Sequence, residues 1–184
     1  MKSDTEILTL YAQESTKELA FIALINQTQK KLYAVIFRIL QDHNDTDDVL
    51  QDTYIKVWRS LHTFKGDSAL YSWLYRIATN TCFTFIQKKK LTHTLDLPND
   101  DEILSHAQMS NAVMPDINQL LLISLLEKAI SQLPAKQRIV FCMRYYDETP
   151  YSTMAQILLT SEGALKASYH HAVKKIETFI LNHI

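Results

Sequence analysis

Gly66 and Gly163 are the only glycines among 184 residues, and the chain has four prolines. Tight turns draw on glycine for positive φ and on proline for a preset φ, so this chain has few to offer. That favours long helices with few connections over sheets. It also counts against most nucleotide-binding enzymes. A phosphate-cradling loop or a dinucleotide fingerprint needs several glycines close together, and these two stand far apart. The apolar fraction of 47% is ordinary for a globular protein, so a core can form. The length allows one large domain or two small ones.

Cys82 and Cys142 lie far apart in apolar surroundings and form no CxxC, which reads as two small buried hydrophobes in a reducing compartment. The N-terminus "MKSDTEILTLY" has acids and no apolar h-region, so no signal peptide is expected. No stretch reaches transmembrane length. A soluble cytoplasmic protein without membrane insertion is the expectation. The net charge is −1. Proteins that hold DNA unaided usually carry a basic surplus, because lysine and arginine displace counterions. If nucleic acid is a partner, something else supplies part of the grip.

Helical spacing recurs along the chain. Leu32, Val35, Ile36, Ile39 and Leu40 make one apolar stripe, which "QDHND" interrupts. Asp45 is a candidate N-cap for the next helix, with Asp48 in the reciprocal position, and Leu50, Tyr54, Val57, Trp58 and Leu61 form its stripe. After the loop around Gly66, Asp67 or Ser68 can cap a third helix. Its stripe is Leu70, Trp73, Leu74, Ile77, Cys82 and Phe85, and it closes on Lys88, Lys89 and Lys90. From His93 to Ile117 there is no lysine or arginine, while Asp96, Asp100, Asp101, Glu102 and Asp116 accumulate and Pro98 and Pro115 stand near the two ends. This reads as an acidic linker. Beyond it, Leu121, Leu122, Leu125, Leu126 and Ile130 form a stripe ending at Leu133 and Pro134. A helix with Ile139, Val140, Phe141 and Met143 follows. A short helix with Met154, Ala155, Ile157 and Leu158 opens at Thr149 and Pro150. A last helix starts near Glu162 with Leu165, Tyr169, Ala172, Val173 and Ile176 inward. No strand pattern competes, so the expected fold is all-α, two small helical domains joined by the linker.

Three places could carry function. A short helix, a tight turn and a longer helix make a helix-turn-helix pattern, whose second helix enters the major groove. Ser161, Glu162, Ala164, Lys166, Ser168 and His170, with Lys174 further on, would then meet DNA. In the acidic block from Asp42 to Asp52, Asp47, Asp48, Gln51 and Asp52 share one helix side. Such a ridge repels DNA and suits a basic partner helix. The loop Phe64-Lys65-Gly66-Asp67-Ser68, with Tyr71, Tyr75 and Arg76 nearby, is a platform on which unpaired bases could stack. For each, the bland alternative is packing or a solvated face. His170 and His171 are adjacent and point about 100° apart on a helix, a poor metal pair, and no nucleophile–base pairing stands out.

"DHNDTDDVLQDTYIKVWRSLHTFKGDSALYSWLYRIATN" resembles the second conserved region of bacterial RNA polymerase sigma factors, nearest the two-domain extracytoplasmic-function (ECF) group. "LEKAISQLPAKQRIVFCMRYYDETPYSTMAQILLTSEGALKASYHHAVKKI" resembles the fourth region of the same group. Order, spacing and linker agree, and the two matches cover most of the chain. The resemblance implies domains at 1–92 and 118–184 with a linker at 93–117. It implies that Asp47, Asp48, Gln51 and Asp52 dock on core RNA polymerase. It places Phe64, Lys65, Gly66, Asp67 and Ser68, with Tyr71, Tyr75, Arg76 and Asn80, at the minus-ten promoter element. It places Ser161, Glu162, Ala164, Lys166, Ser168, His170 and Lys174 at the minus-thirty-five element. Core polymerase and promoter DNA are the implied partners and an anti-sigma factor a further candidate. No cofactor, metal, small-molecule substrate or catalytic activity is implied. The chain departs from the family at Tyr71, Thr79, Ser168 and His171, where arginine is usual, and near Pro150 and Leu159, where a Ser or Thr cap and a glycine are usual. These departures keep open a second expectation, a sigma-like regulator that binds polymerase or a regulator without melting DNA.

Overall fold

The computed structural model describes residues 2–93 and 117–183. Their regular elements are all helical: α1 Asp4–Tyr11, α2 Lys17–Leu40, α3 His43–Ser60, a 3-10 turn Leu61–Thr63, α4 Leu70–His93, α5 Ile117–Gln132, α6 Ala135–Tyr145, α7 Tyr151–Leu158 and α8 Glu162–Leu181. The expected acidic linker lies, over 94–116, outside the described residues.

In the N-terminal half, α2, α3 and α4 pack on one another and α1 packs on α2. At eight residues α1 is too short to persist alone. Its stability comes from burying Ile7 and Tyr11, each worth roughly 1.5–3 kcal/mol. The Tyr11 hydroxyl also donates to the Trp58 carbonyl at 2.6 Å. A capping box starts α1: Ser3 Oγ accepts from the Glu6 amide and the Glu6 carboxylate from the Ser3 amide. The α2 stripe begins well before Leu32, at Ala20 and Leu24. Inside the bundle Thr28 Oγ1 and the Tyr54 hydroxyl bond at 2.8 Å.

In the C-terminal half, α8 lies across α5, α6 and α7. The expected inward residues of α6 are buried, as are Leu165, Ala172 and Ile176 of α8. The α5 stripe is shorter than its periodicity indicated. Leu125, Ala129, Ile130 and Leu133 are buried, whereas Leu121 and Leu122 are 49% and 46% exposed.

Three caps differ from expectation. The N-cap of α3 is Asp42, whose Oδ1 accepts from the Asp45 amide at 2.8 Å, so the helix starts three residues earlier than a cap at Asp45 would have it. Helix α4 begins at Leu70, past both Asp67 and Ser68, with the Trp73 amide donating to the Ala69 carbonyl. The cap of α7 is Pro150 itself, not Thr149; the Thr149 amide is turned back to the Met143 carbonyl at 3.0 Å. The turn after α7 closes because Leu159 takes the left-handed conformation, φ 50° and ψ 48°, and donates its amide to the Ala155 carbonyl.

A left-handed leucine costs about 1–2 kcal/mol, and glycine would lose about 0.4–1 kcal/mol more chain entropy on folding. Leu159 is 68% exposed, so little burial is lost on truncation. Leu159→Gly should therefore stabilise the protein by about 0.5–1 kcal/mol, seen as a higher urea midpoint at unchanged slope. An unchanged or lower midpoint would contradict this account of the turn.

Candidate functional site

The acidic ridge stands on the first turns of α3. Asp42 caps the helix, and Lys89 from α4 takes Asp45 at 2.6 Å, so two of the five aspartates have structural work. Asp47, Asp48, Gln51 and Asp52 are exposed, and Ile55 beside them is 42% exposed. A carboxylate row edged by an apolar side chain suits a basic, amphipathic helix better than a phosphate backbone. Behind it Tyr33 bonds His43 Nδ1 at 2.6 Å, and the His43 ring stacks on Phe37 at 4.5 Å. Burial first, then the charges of Asp47 and Asp42, raises the Tyr33 hydroxyl above its ordinary range.

The second feature is the loop between α3 and α4. Lys65, Gly66, Asp67 and Ser68 are exposed. Gly66 has φ +81°, and a Cβ built on it would meet nothing within 4 Å, so glycine is needed here for its backbone angle, not for space. Phe64 is half-buried against Trp73, with ring centroids 5.6 Å apart at 59°. Arg76 is half-buried and Asn80 is exposed. Tyr71 is half-buried under Lys31, whose Nζ lies 5.7 Å from its ring centroid. Tyr75 is set apart: it is buried, and its hydroxyl donates to Asp147 Oδ2 at 2.6 Å. Burial, and then the Asp147 charge, raises the Tyr75 hydroxyl far above its ordinary range, so it stays a protonated donor. The structure thus brings Phe64 through Ser68 and Tyr71 to the loop end of α4, with Arg76 and Asn80 about two and three turns further along the helix, while Tyr75 turns to the C-terminal half.

The third feature is the outer face of α8. Ser161 caps the helix, its Oγ accepting from the Ala164 amide at 3.3 Å. Glu162, Ala164, Lys166, His170 and Lys174 are exposed, and Ser168 is half-buried. Lys166 sits 3.8 Å from Glu162 and 5.7 Å from the Tyr151 ring centroid, which ties α8 to α7 across the turn. Helices α7 and α8 have the helix-turn-helix order, with the second helix presenting a polar, partly basic face. Among the described residues no group of three His, Cys, Asp or Glu could hold a metal, and no helix is long and apolar enough to cross a membrane.

Sequence comparisons fall on the same two halves. The profile of sigma-70 region 2 matches residues 24–92, and that of sigma-70 region 4 matches residues 123–176. The ECF RNA polymerase sigma-E factor of Haemophilus influenzae is 30% identical over 171 residues, 88% of this chain and 87% of that protein. The chain belongs to the ECF RNA polymerase sigma factors. SigW of Bacillus subtilis, another ECF sigma factor, is 28% identical over 156 residues, 82% of this chain and 83% of its own. Two solved sigma-factor chains share the fold at 20% identity. One is RpoE of Bartonella quintana in complex with the anti-sigma factor NepR, with a TM-score of 0.64 over 87% of this chain and 96% of that one. The other is CnrH in complex with the cytosolic domain of CnrY, with a TM-score of 0.61 over 94% and 96%. In this sigma factor the region 2 match ends one residue before the end of α4, and the region 4 match holds α7 and α8 as far as Ile176, five residues short of the end of α8.

Four residues that join the halves carried no signal in the sequence: Arg38, Arg138, Cys142 and Asp147. Arg38 pairs with Asp147, Arg138 Nη1 donates to the Ile39 carbonyl at 3.3 Å, and Cys142 Sγ donates to the Arg38 carbonyl at 3.3 Å.

The two glycines should respond oppositely to alanine. Gly66→Ala forces a side chain into positive φ and should cost about 1–2 kcal/mol. Gly163 is helical and also has open space around it, so Gly163→Ala should stabilise by up to about 1 kcal/mol. Thermal unfolding of the two variants checks both signs.

Proposed function

We propose that this sigma factor binds core RNA polymerase, directs it to promoters carrying minus-ten and minus-thirty-five elements, and promotes opening of the duplex. Residues 1–92 form the polymerase-binding and minus-ten unit, 118–184 the minus-thirty-five unit, and 93–117 the tether. The observation that carries this is the α3 ridge, whose Asp47, Asp48, Gln51 and Asp52 are exposed together beside Ile55. The polymerase contributes much of the phosphate grip, consistent with a net charge of −1. The factor acts in the cytoplasm as a specificity subunit without a catalytic step of its own, and an anti-sigma factor is a further partner.

At the minus-ten element, the loop from Phe64 to Ser68 receives a flipped base, with Tyr71, Tyr75, Arg76 and Asn80 along the strand. Flipping costs a few kcal/mol, and stacking returns about 1–3 kcal/mol per base, so one or two captured bases can offset it. At the minus-thirty-five element, Ser161, Glu162, Ala164 and Lys166 enter the major groove, with Ser168, His170 and Lys174 along its wall. A second reading, a sigma-like regulator that holds polymerase without melting DNA, gains support from Tyr75 being buried and from Tyr71 and Thr79 standing where the family has arginine. Transcription in vitro with core polymerase and a matched promoter separates the two.

Asp48→Arg should weaken core-polymerase binding by about a hundredfold or more, since reversing a charge against a basic partner costs several kcal/mol. Unchanged affinity in a binding titration would remove the ridge from the interface. Phe64→Ala and Tyr71→Ala should slow opening of duplex promoter about 5- to 100-fold, the loss of one stacked base, and matter less on a pre-melted bubble. Equal losses on both templates would refute the melting role.

A further inference from the structure

Helix α4 is buried along two stripes. Leu70, Leu74 and Thr81 face their own half, where Lys56 of α3 donates to Thr81 Oγ1 at 3.0 Å. Tyr75, Thr79, Cys82 and Ile86, at i, i+4, i+7 and i+11, form a second buried stripe. Contacts on that side come from the other half of the molecule. Asp147 takes the Tyr75 hydroxyl, and Lys136 Nζ lies 5.9 Å from the Phe83 ring centroid. Both α6 and α7 pack on α4, and α6 also packs on α2.

Asp147 sits at the centre of this junction. Its Oδ1 accepts from Arg38 on α2 and its Oδ2 from Tyr75 on α4, so each oxygen is held by a different helix of the N-terminal half. Its backbone is aimed by a strained turn. Glu148 next to it takes φ 49°, the Thr149 amide closes onto the Met143 carbonyl, and Arg144 Nη1 reaches the Glu148 and Thr149 carbonyls at 3.4 Å.

The closed arrangement does not fit promoter reading. By their names the two promoter elements lie about 25 base pairs apart, about 85 Å of duplex at roughly 3.4 Å per base pair. Helix α8 packs on α6 and α7, which pack on α4, so about two interhelix spacings, roughly 20 Å, separate α8 from α4.

We propose that Asp147 is the catch of a latch that holds the two domains together in the free factor, and that the catch must release before both promoter elements can be read. Clasped, the factor keeps Tyr75 from DNA and holds α8 too near α4. Released, it frees both at once. The regulatory consequence rests on the functional reading above; the latch itself does not.

The test places spin labels at Glu18→Cys and Glu177→Cys, exposed on α2 and α8, in the full chain without polymerase or DNA. The native cysteines are buried and free. The distribution of dipolar distances should be narrow with native Asp147. It should shift to longer distances and broaden in Asp147→Lys and Arg38→Asp, and narrow again when Arg38→Asp is combined with Asp147→Arg. A broad distribution with native Asp147, or a narrow one that Asp147→Lys leaves unmoved, overturns the latch. Helical circular dichroism separates release from unfolding. In a parallel titration Asp147→Lys should bind core polymerase more tightly, about tenfold if one free molecule in about ten is open. Unchanged affinity overturns the regulatory role. No binding by either form sinks the functional reading and leaves the distance result standing.

Discussion

The end of α2 is the point on which the arrangement of the two halves depends. The last carbonyls of any helix lack intrahelical partners, and the negative end of the helix dipole gathers there. Here the Phe37 carbonyl is taken by Gln41 in the left-handed conformation, the Arg38 carbonyl by the Cys142 thiol and the Ile39 carbonyl by the Arg138 guanidinium. Two of those three donors come from α6, so one domain completes the secondary structure of the other. The contact demands a buried cation. Arg138 is 7% exposed, burial lowers its pKa, and its Nε has no hydrogen-bond partner. A buried charge without a carboxylate adds little stability by itself and is costly when one of its acceptors leaves. The junction is therefore specific in geometry and limited in strength, the combination a separable interface requires.

The same economy shapes α4. A helix packed on one side only needs a single stripe, but α4 carries two, and three of the four residues of the second are small or hydroxylated: Thr79, Cys82 and Tyr75, beside Ile86. Burial holds both cysteine thiols protonated, that of Cys142 pushed up to about 12, so they behave as packing groups and not as nucleophiles. An arginine at Thr79, as the family pattern would have it, would set a charge where the side chain is 1% exposed. Threonine fits that buried position, where its hydroxyl turns back to the Tyr75 carbonyl at 3.0 Å.

Much of the fold was legible because long apolar periods repeat at helical spacing, as in α3 and α4, where every residue of the expected stripes is at least half-buried. The N-terminal helix was missed although Ser3 and Glu6 spell its capping box, since Ile7 and Tyr11 give too short a period to notice. The caps of α3 and α7 went to neighbours of the expected residues, because a cap is fixed by backbone angles at the boundary and periodicity locates only the interior. The ridge on α3 and the outer face of α8 could be read as helical faces from spacing alone. The Arg38–Asp147 pair could not. Its partners stand 109 residues apart, and neither the charge pattern nor any motif links them.

The scarcity of glycine has one more consequence. Besides Gly66, three described residues take positive φ, and none is glycine: Gln41, Glu148 and Leu159. Each bears a strain of about 1–2 kcal/mol that only surrounding structure can hold. Gln41 is held by its bond to the Phe37 carbonyl at a helix end that α6 covers, Glu148 by Arg144, and Leu159 by its bond to Ala155. Around Gly66 there is no such support, since nothing lies within 4 Å of where a side chain would start. A strained residue there would relax and take the loop with it. Glycine is thus confined, among the left-handed turns of the described residues, to the one that has to keep its shape while open to solvent.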